Sequence, residues 1–207
     1  PAAMKPWFDG REQRHNIEPW LAEPNVNNDI LRQGCEALGW SWEVIPRNVK
    51  GCWNLGYCGV GCPTNAKQGA LTTTIPGALD NNARLFHGLR ADKLVMEQDK
   101  ISHLQASAMA ADGVTPSGVT VELRARHFVV AASAIGSPGL LLRSDIPDPH
   151  DRIGKRTFLH PVNATIAEMP DTVDPYYGAP QSIYSDEFNF SQGVDGPAGF
   201  KLEVPPL

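Results

Sequence analysis

The most reactive side chains of the sequence are its four cysteines, and three of them, Cys52, Cys58 and Cys62, follow one another in the pattern C-x5-C-x3-C. Thiolates ligate soft metals and exchange disulfides, so such a cluster invites a chemical reading. Zinc and iron–sulfur sites usually draw on four ligands with C-x2-C pairs. The fourth cysteine, Cys35, sits instead on the apolar face of a predicted helix. The spacing reads better as buried structural thiols in a tight glycine turn, with a redox disulfide as the lesser alternative, and no metal is expected. The run Gly56-Tyr57-Cys58-Gly59-Val60-Gly61 lacks the G-x-G-x-x-G spacing and does not lie between a strand and a helix, so the phosphate-cradling logic of a dinucleotide turn does not apply to it. No G-x-S-x-G elbow exposes a nucleophilic serine.

The remaining polar candidates read as ordinary. His15, His87, His103 and His150 have polar neighbours, as surface histidines do, and His127 opens an apolar run and reads as structural. Lys67 could meet a phosphate or an acidic substrate but fits a solvated lysine better. Trp40, Trp42 and Trp53 could line a pocket, and core packing suits them better. The net charge is −5, and no basic stripe exists to neutralise phosphates, which excludes nucleic acid as a partner. No apolar run reaches the roughly 18 residues of a spanning helix, and no basic-then-apolar leader is visible at Pro1–Lys5.

Several elements must position these groups. Residues 3–16 form a short predicted helix. Residues 27–38 form a clearer one, capped by Asn27 or Asn28, with Ile30, Leu31, Cys35 and Leu38 on one face and Gly39 as the stop. Ser41–Ile45 reads as a strand, 46–65 as the turn-rich cysteine segment, and Pro76–Asn81 as a helical turn. Lys93–Glu97 and Ile101–Ala110 are predicted strands. Asp112–Gly118 is a loop, and Val119, Val121, Leu123 and Ala125 alternate with polar residues as in a half-buried strand. His127–Ala132 is continuously apolar, the pattern of a strand buried on both faces. Ser137 then reads as the cap and Pro138 as the first-turn residue of a helix through Leu142. Beyond residue 150, strands are predicted at Pro161–Met169, Gln181–Ser185 and Phe200–Val204, separated by long polar loops, as in a second unit built on an antiparallel sheet.

Three segments, taken in order, resemble the glucose-methanol-choline (GMC) oxidoreductases. Cys58-Gly59-Val60-Gly61-Cys62 with Ala66-Lys67-Gln68 is similar to the branch of long-chain alcohol and sugar-alcohol dehydrogenases. Ala125–Ser144, with Ser133-Ala134-Ile135-Gly136-Ser137-Pro138 at its centre, resembles the family's second signature, a buried strand, a turn and a leucine-rich helix. Ile153-Gly154-Lys155 with His160-Pro161 looks like the stretch leading into the substrate domain, which makes a structural role for His160 the better reading than that of a base. Ser133 stands where the family usually has glycine. Asp145 and Pro147 replace glycines common after the signature helix, and Thr157, Phe158 and Leu159 depart from the usual neighbourhood.

The resemblance implies an α/β architecture that is α+β within this chain. Residues 1–150 would be the middle and late part of a Rossmann-like FAD-binding domain with an inserted cysteine- and glycine-rich segment. Residues 151–207 would begin an antiparallel-sheet substrate domain. It implies FAD as cofactor, with Val95 near the adenine and Ala132, Ser133 and Ala134 in the turn passing the ADP portion; the helix start at Gly136 and Ser137 either turns its free N–H groups toward a phosphate or merely packs the helix on the sheet. It implies hydride transfer from a small-molecule alcohol to the flavin, with oxygen, a quinone or a cytochrome as the electron acceptor. The family's flavin fingerprint and its catalytic histidine have no counterpart here. The chain is therefore expected to be an internal piece with no catalytic residue of its own, silent in isolation. A stand-alone binding domain and one part of a split enzyme are the alternatives. The compartment stays open between cytoplasm and periplasm, with the cytoplasm slightly favoured.

Overall fold

The computed structural model describes residues 2–158, 160–189 and 199–205. They form two compact units, one of residues 1–83 with 166–207 and one of residues 84–165. The second unit is thus inserted in the chain between the two halves of the first.

The first unit opens with helix α1 (Lys5–His15), which has a proline in its first turn and ends at Asn16 in the left-handed region. None of its residues is buried. Strand β1 (Ile17–Pro19) pairs antiparallel with β3 (Pro46–Asn48). Helix α2 (Val26–Leu38) lies between them in sequence and closes at Gly39, φ 69°. Its cap is Asn25, whose side chain accepts the Asn28 backbone N–H, so the cap lies two or three residues before the predicted Asn27 or Asn28. Asn28 is instead fully buried. Its amide donates to the Asn25 side-chain oxygen and the Pro180 carbonyl, and its oxygen accepts the Ser182 N–H at 2.9 Å. Leu38, predicted to share the apolar face, is exposed, while Cys35 on that face is buried.

These bonds hold α2 against a three-stranded antiparallel sheet. Its strands are β2 (Glu43–Val44), β7 (Ile183–Ser185) and β8 (Leu202–Glu203), with β7 central. A short helix, α3 (Thr74–Asp80), completes the unit. The strand predicted at Pro161–Met169 is not formed: the chain there has no regular structure. Val162 and Ile166 are both exposed, so the run lacks the burial that would reward pairing.

The second unit is an antiparallel meander of β4 (Leu89–Glu97), β5 (Lys100–Met109) and β6 (Pro116–Leu123). Gln98, φ 56°, makes the tight turn between the first two strands. In the second turn the Asp112 carboxylate accepts the Val114 and Thr115 N–H groups. Helix α4 (Ser133–Arg143) packs on β4, and Leu94, Ala106 and Leu140 are the buried apolar centre.

Residues 127–131 do not form the predicted doubly buried strand; they run without pairing and Val129 is 89% exposed. A strand of that kind needs a neighbour on each side to satisfy its backbone, and none of the described strands lies beside this run. The described strands pair only antiparallel. The chain is thus a mixture of helices and antiparallel sheets.

Candidate functional site

The turn at Ala132–Ser137 is the entry of α4. The helix starts at Ser133, four residues before the predicted cap at Ser137, and Pro138 lies inside it. Ser137 still acts at the entry, because its hydroxyl accepts the Ala132 N–H at 2.9 Å from within the first turns. Ser133 has φ 65°, a left-handed conformation that glycine adopts freely and serine does not. Its own hydroxyl accepts the Ala134 N–H at 2.6 Å. A Cβ on Gly136 would lie 3.0 Å from the Ala132 Cβ, so glycine lets the turn close on itself.

A helix leaves its first N–H groups without intrahelical partners, and they carry partial positive charge. The serine hydroxyls take those of Ala132 and Ala134. Those of Ser133 and Ile135 remain for an outside acceptor, and Ala132–Gly136 are all exposed. This donor set suits a small oxyanion, such as a phosphate, lying on small residues.

Val95 belongs to β4, opposite His103, at a register irregularity between Val95 and Met96. Its neighbour Leu94 donates its backbone N–H to the Ser144 hydroxyl at 2.9 Å, and that hydroxyl donates to the Leu140 carbonyl at 2.6 Å. Arg143 donates to the Ala91 carbonyl and Lys93 pairs with Asp145, so three consecutive residues clamp the end of α4 to β4. The clamp is at the C-terminal end of the helix, roughly 16 Å along its axis from the Ala132–Ser137 entry at 1.5 Å per residue. Val95, on β4, therefore neighbours the clamped C-terminal end of α4, and the entry is the opposite end of that helix. Ser144, missed from sequence, is 4% exposed; a serine just past a leucine-rich helix is the signal that could have found it.

The Ile153-Gly154 segment folds back onto the same helix. Gly154, φ 73°, approaches so closely that a Cβ there would meet Leu142 Cδ1 at 3.3 Å and Pro138 Cβ at 3.8 Å. The Asp148 carboxylate accepts the Ile153 N–H at 2.7 Å. Its pKa is lowered first by that bond and then by the Arg152 N–H. Two of the three sequence segments are thereby packed together.

The cysteine segment lies in the first unit as a loop with a closed neck. Val49 bridges Lys67, Lys50 N–H donates to the Ala66 carbonyl, and Gln68 N–H donates to the Asn48 carbonyl, both at 2.8 Å. Asn54 and Gly56 both have positive φ and fold the loop sharply. A Cβ on Gly56 would fall 2.2 Å from the Tyr176 carbonyl oxygen. Cys52, Cys58 and Cys62 line one recess together with Arg47, Tyr57 and Thr64. The expectation of buried thiols fails here: Cys58 is exposed, Cys52 and Cys62 are half-buried, and only Cys35 is buried. Three sulfurs in a recess with an arginine keep solvent contact, whereas the glycine turn alone suggested enclosure. No group of three His, Cys, Asp or Glu side chains among the described residues is arranged to hold a metal ion.

The histidines divide differently from expectation. His103 is buried on β5, near Glu122, and is not a surface residue. His15 is half-buried and its Nδ1 lies 2.9 Å from the Gln68 carbonyl and 3.2 Å from the Thr73 hydroxyl, tying α1 to the cysteine loop. His127 and His160 are exposed in irregular chain. Trp40 packs edge-on against Phe188, but Trp53 is 72% exposed. Among the described residues no helix is long and apolar enough to cross a membrane.

A family model described as GMC oxidoreductase matches residues 1–162. An uncharacterized GMC-type oxidoreductase of Mycobacterium tuberculosis is 34% identical over 188 residues, covering 90% of this chain and 29% of the relative. A long-chain-alcohol oxidase of Arabidopsis thaliana is 32% identical, covering 73% of this chain and 21% of the relative. The 6'''-hydroxyparomomycin C oxidase of Streptomyces lividus is 38% identical, covering 72% and 28%. The chain thus spans less than a third of the length of these relatives. No solved structure matches it.

Proposed function

Because the chain belongs to the GMC oxidoreductase family, we propose that it is part of an FAD-dependent enzyme that oxidises the CH–OH group of a small-molecule alcohol. Residues 1–150 would form the later, Rossmann-like part of the flavin domain and residues 151–207 the start of the substrate domain. The observation that supports this most directly is the exposed entry of α4, where Ser133 holds a left-handed turn and two first-turn N–H groups stay free. In this reading Ser133 and Ile135 donate to the pyrophosphate. Ala132, Ala134 and Gly136 keep the backbone bare enough for close approach, Ser137 fixes the turn, and Val95 lies by the adenine. The Ser144 clamp holds the strand and helix as one body.

FAD, when bound, would supply the acceptor for a hydride from the alcohol carbon, and a base would take the hydroxyl proton. No residue of this chain is assigned as that base. The relatives in Arabidopsis, a long-chain-alcohol oxidase, and Streptomyces, a 6'''-hydroxyparomomycin C oxidase, support the alcohol as substrate class and leave the electron acceptor open.

The test is the visible absorption spectrum of the complete purified protein, followed by acid release of bound flavin. Near-stoichiometric flavin that bleaches on anaerobic addition of a primary alcohol series is expected. Gly136→Val should lower flavin retention while leaving the far-ultraviolet circular dichroism intact. A complete, folded protein that neither holds nor rebinds flavin overturns the proposal.

A further inference from the structure

The three thiols of the closed loop have environments unlike that of Cys35. The Cys62 sulfur accepts the Ala66 N–H at 3.4 Å and lies 3.3 Å from the Thr64 hydroxyl. Cys58 is exposed and its sulfur lies 3.5 Å from an Arg47 guanidinium nitrogen. The Cys52 sulfur accepts the Asn54 N–H at 3.4 Å. All three line one solvent-open recess in a loop whose neck is already closed by backbone bonds. Donors aimed at a sulfur favour the thiolate, the form that reacts with electrophiles, and a thiolate needs both access and a resolving thiol nearby to cycle.

We propose that this loop is a thiol redox site that reduces hydroperoxides, with Cys62 as the attacking thiolate and Cys58 as the resolving thiol. The Cys62 sulfur attacks one oxygen of ROOH: the S–O bond forms, the O–O bond breaks, and the departing alkoxide takes a proton and leaves as ROH. Cys62 is left as a sulfenic acid. The Cys58 thiolate then attacks that sulfur, the S–S bond forms, and the hydroxyl leaves as water with the proton lost from Cys58. Two electrons from an external dithiol return both sulfurs to thiols. The Cys62 pKa is lowered first by Thr64 and then by Ala66, in keeping with the attacking role. Arg47, 3.5 Å from the Cys58 sulfur, lies beside the resolving thiol in the same recess. Because the neck holds without any sulfur bridge, the loop can open and close the disulfide without releasing its ends. The site is independent of the flavin reading and can be tested with or without bound cofactor.

The experiment uses the complete protein, one equivalent of hydrogen peroxide and mass spectrometry of the peptide carrying these thiols. An intramolecular disulfide between Cys58 and Cys62 is expected. In Cys58→Ser a dimedone adduct should appear on Cys62, and in Cys62→Ser Cys58 should stay reduced at the same dose. Cys62 should also alkylate at least about tenfold faster in the native protein than after denaturation at pH 6.5, as expected of a thiolate stabilised by its surroundings. Equal native and denatured rates, or peroxide consumption unaffected by Cys62→Ser, overturn the proposal. So does a stoichiometric metal that blocks all three thiols until it is chelated, which would make the recess a ligand set.

Discussion

At the scale of single residues, the departures from the family pattern become intelligible once backbone angles are known. Ser133 and Asp145 both replace glycines common in the family, and both have positive φ, 65° and 53°. The glycine requirement is therefore a requirement of the backbone, and the side chains here are carried at some strain, which their short polar groups ease. Ser133→Gly is expected to stabilise the chain by about 0.5–1 kcal/mol, read as a rise in urea midpoint at unchanged slope. Gly56→Ala should do the reverse: its Cβ would collide with the Tyr176 carbonyl. A loss of about 2 kcal/mol or more is expected, seen as a lowered Tm. Asp148 belongs at this scale too. The Ile153 N–H holds its pKa below the ordinary carboxylate range. A depressed carboxyl stabilises the fold above its unfolded pKa and loses that contribution as pH falls through its folded one. Asp148→Asn should therefore flatten the acid limb of a stability–pH curve below about pH 4 and leave the neutral plateau little altered in shape.

Among the elements, what was legible in the sequence was whatever local chemistry decides. Helix α2 was readable from its periodicity and Gly39, and β4 and β5 from their apolar and alternating residues, because neighbours in sequence set those preferences. The cap at Asn25 was not, since three asparagines stand at positions 25, 27 and 28 and only their hydrogen-bond partners in the fold separate them: Asn25 accepts the Asn28 N–H, while the equally buried Asn28 accepts the Ser182 N–H. Nor could the sequence show that His127–Ala132 would lack strand neighbours, because pairing partners are a property of the tertiary fold. The entry residues Ala132–Ser137 were legible as a turn and a helix start; the clamp at Ser144 was not, because a serine hydroxyl gives no sequence pattern for a partner fifty residues away. Removing that hydroxyl leaves the Leu94 N–H unpaired in a buried place. Ser144→Ala should cost about 1–3 kcal/mol, visible as faster hydrogen exchange in β4 than in β6.

For the whole molecule, the division into two units governs how it comes apart. The meander of residues 84–165 is built from neighbouring strands, while the first unit joins residues from both sides of it. Separate cores unfold as separate cooperative steps unless a large interface couples them. Calorimetry of the 207-residue chain should show two transitions, and a single one with equal calorimetric and van't Hoff enthalpies would refute this.

The bonds from Asn28 to Pro180 and Ser182 carry one further consequence. Their partners are 152 and 154 residues apart along the chain. At a synthesis rate of 5–20 residues per second, helix α2 leaves the ribosome roughly 8–30 s before the segment that covers it. The meander can close within that interval, its contacts being local. The nascent helix meanwhile presents a bare amide and an apolar stripe, a natural holding site for a chaperone.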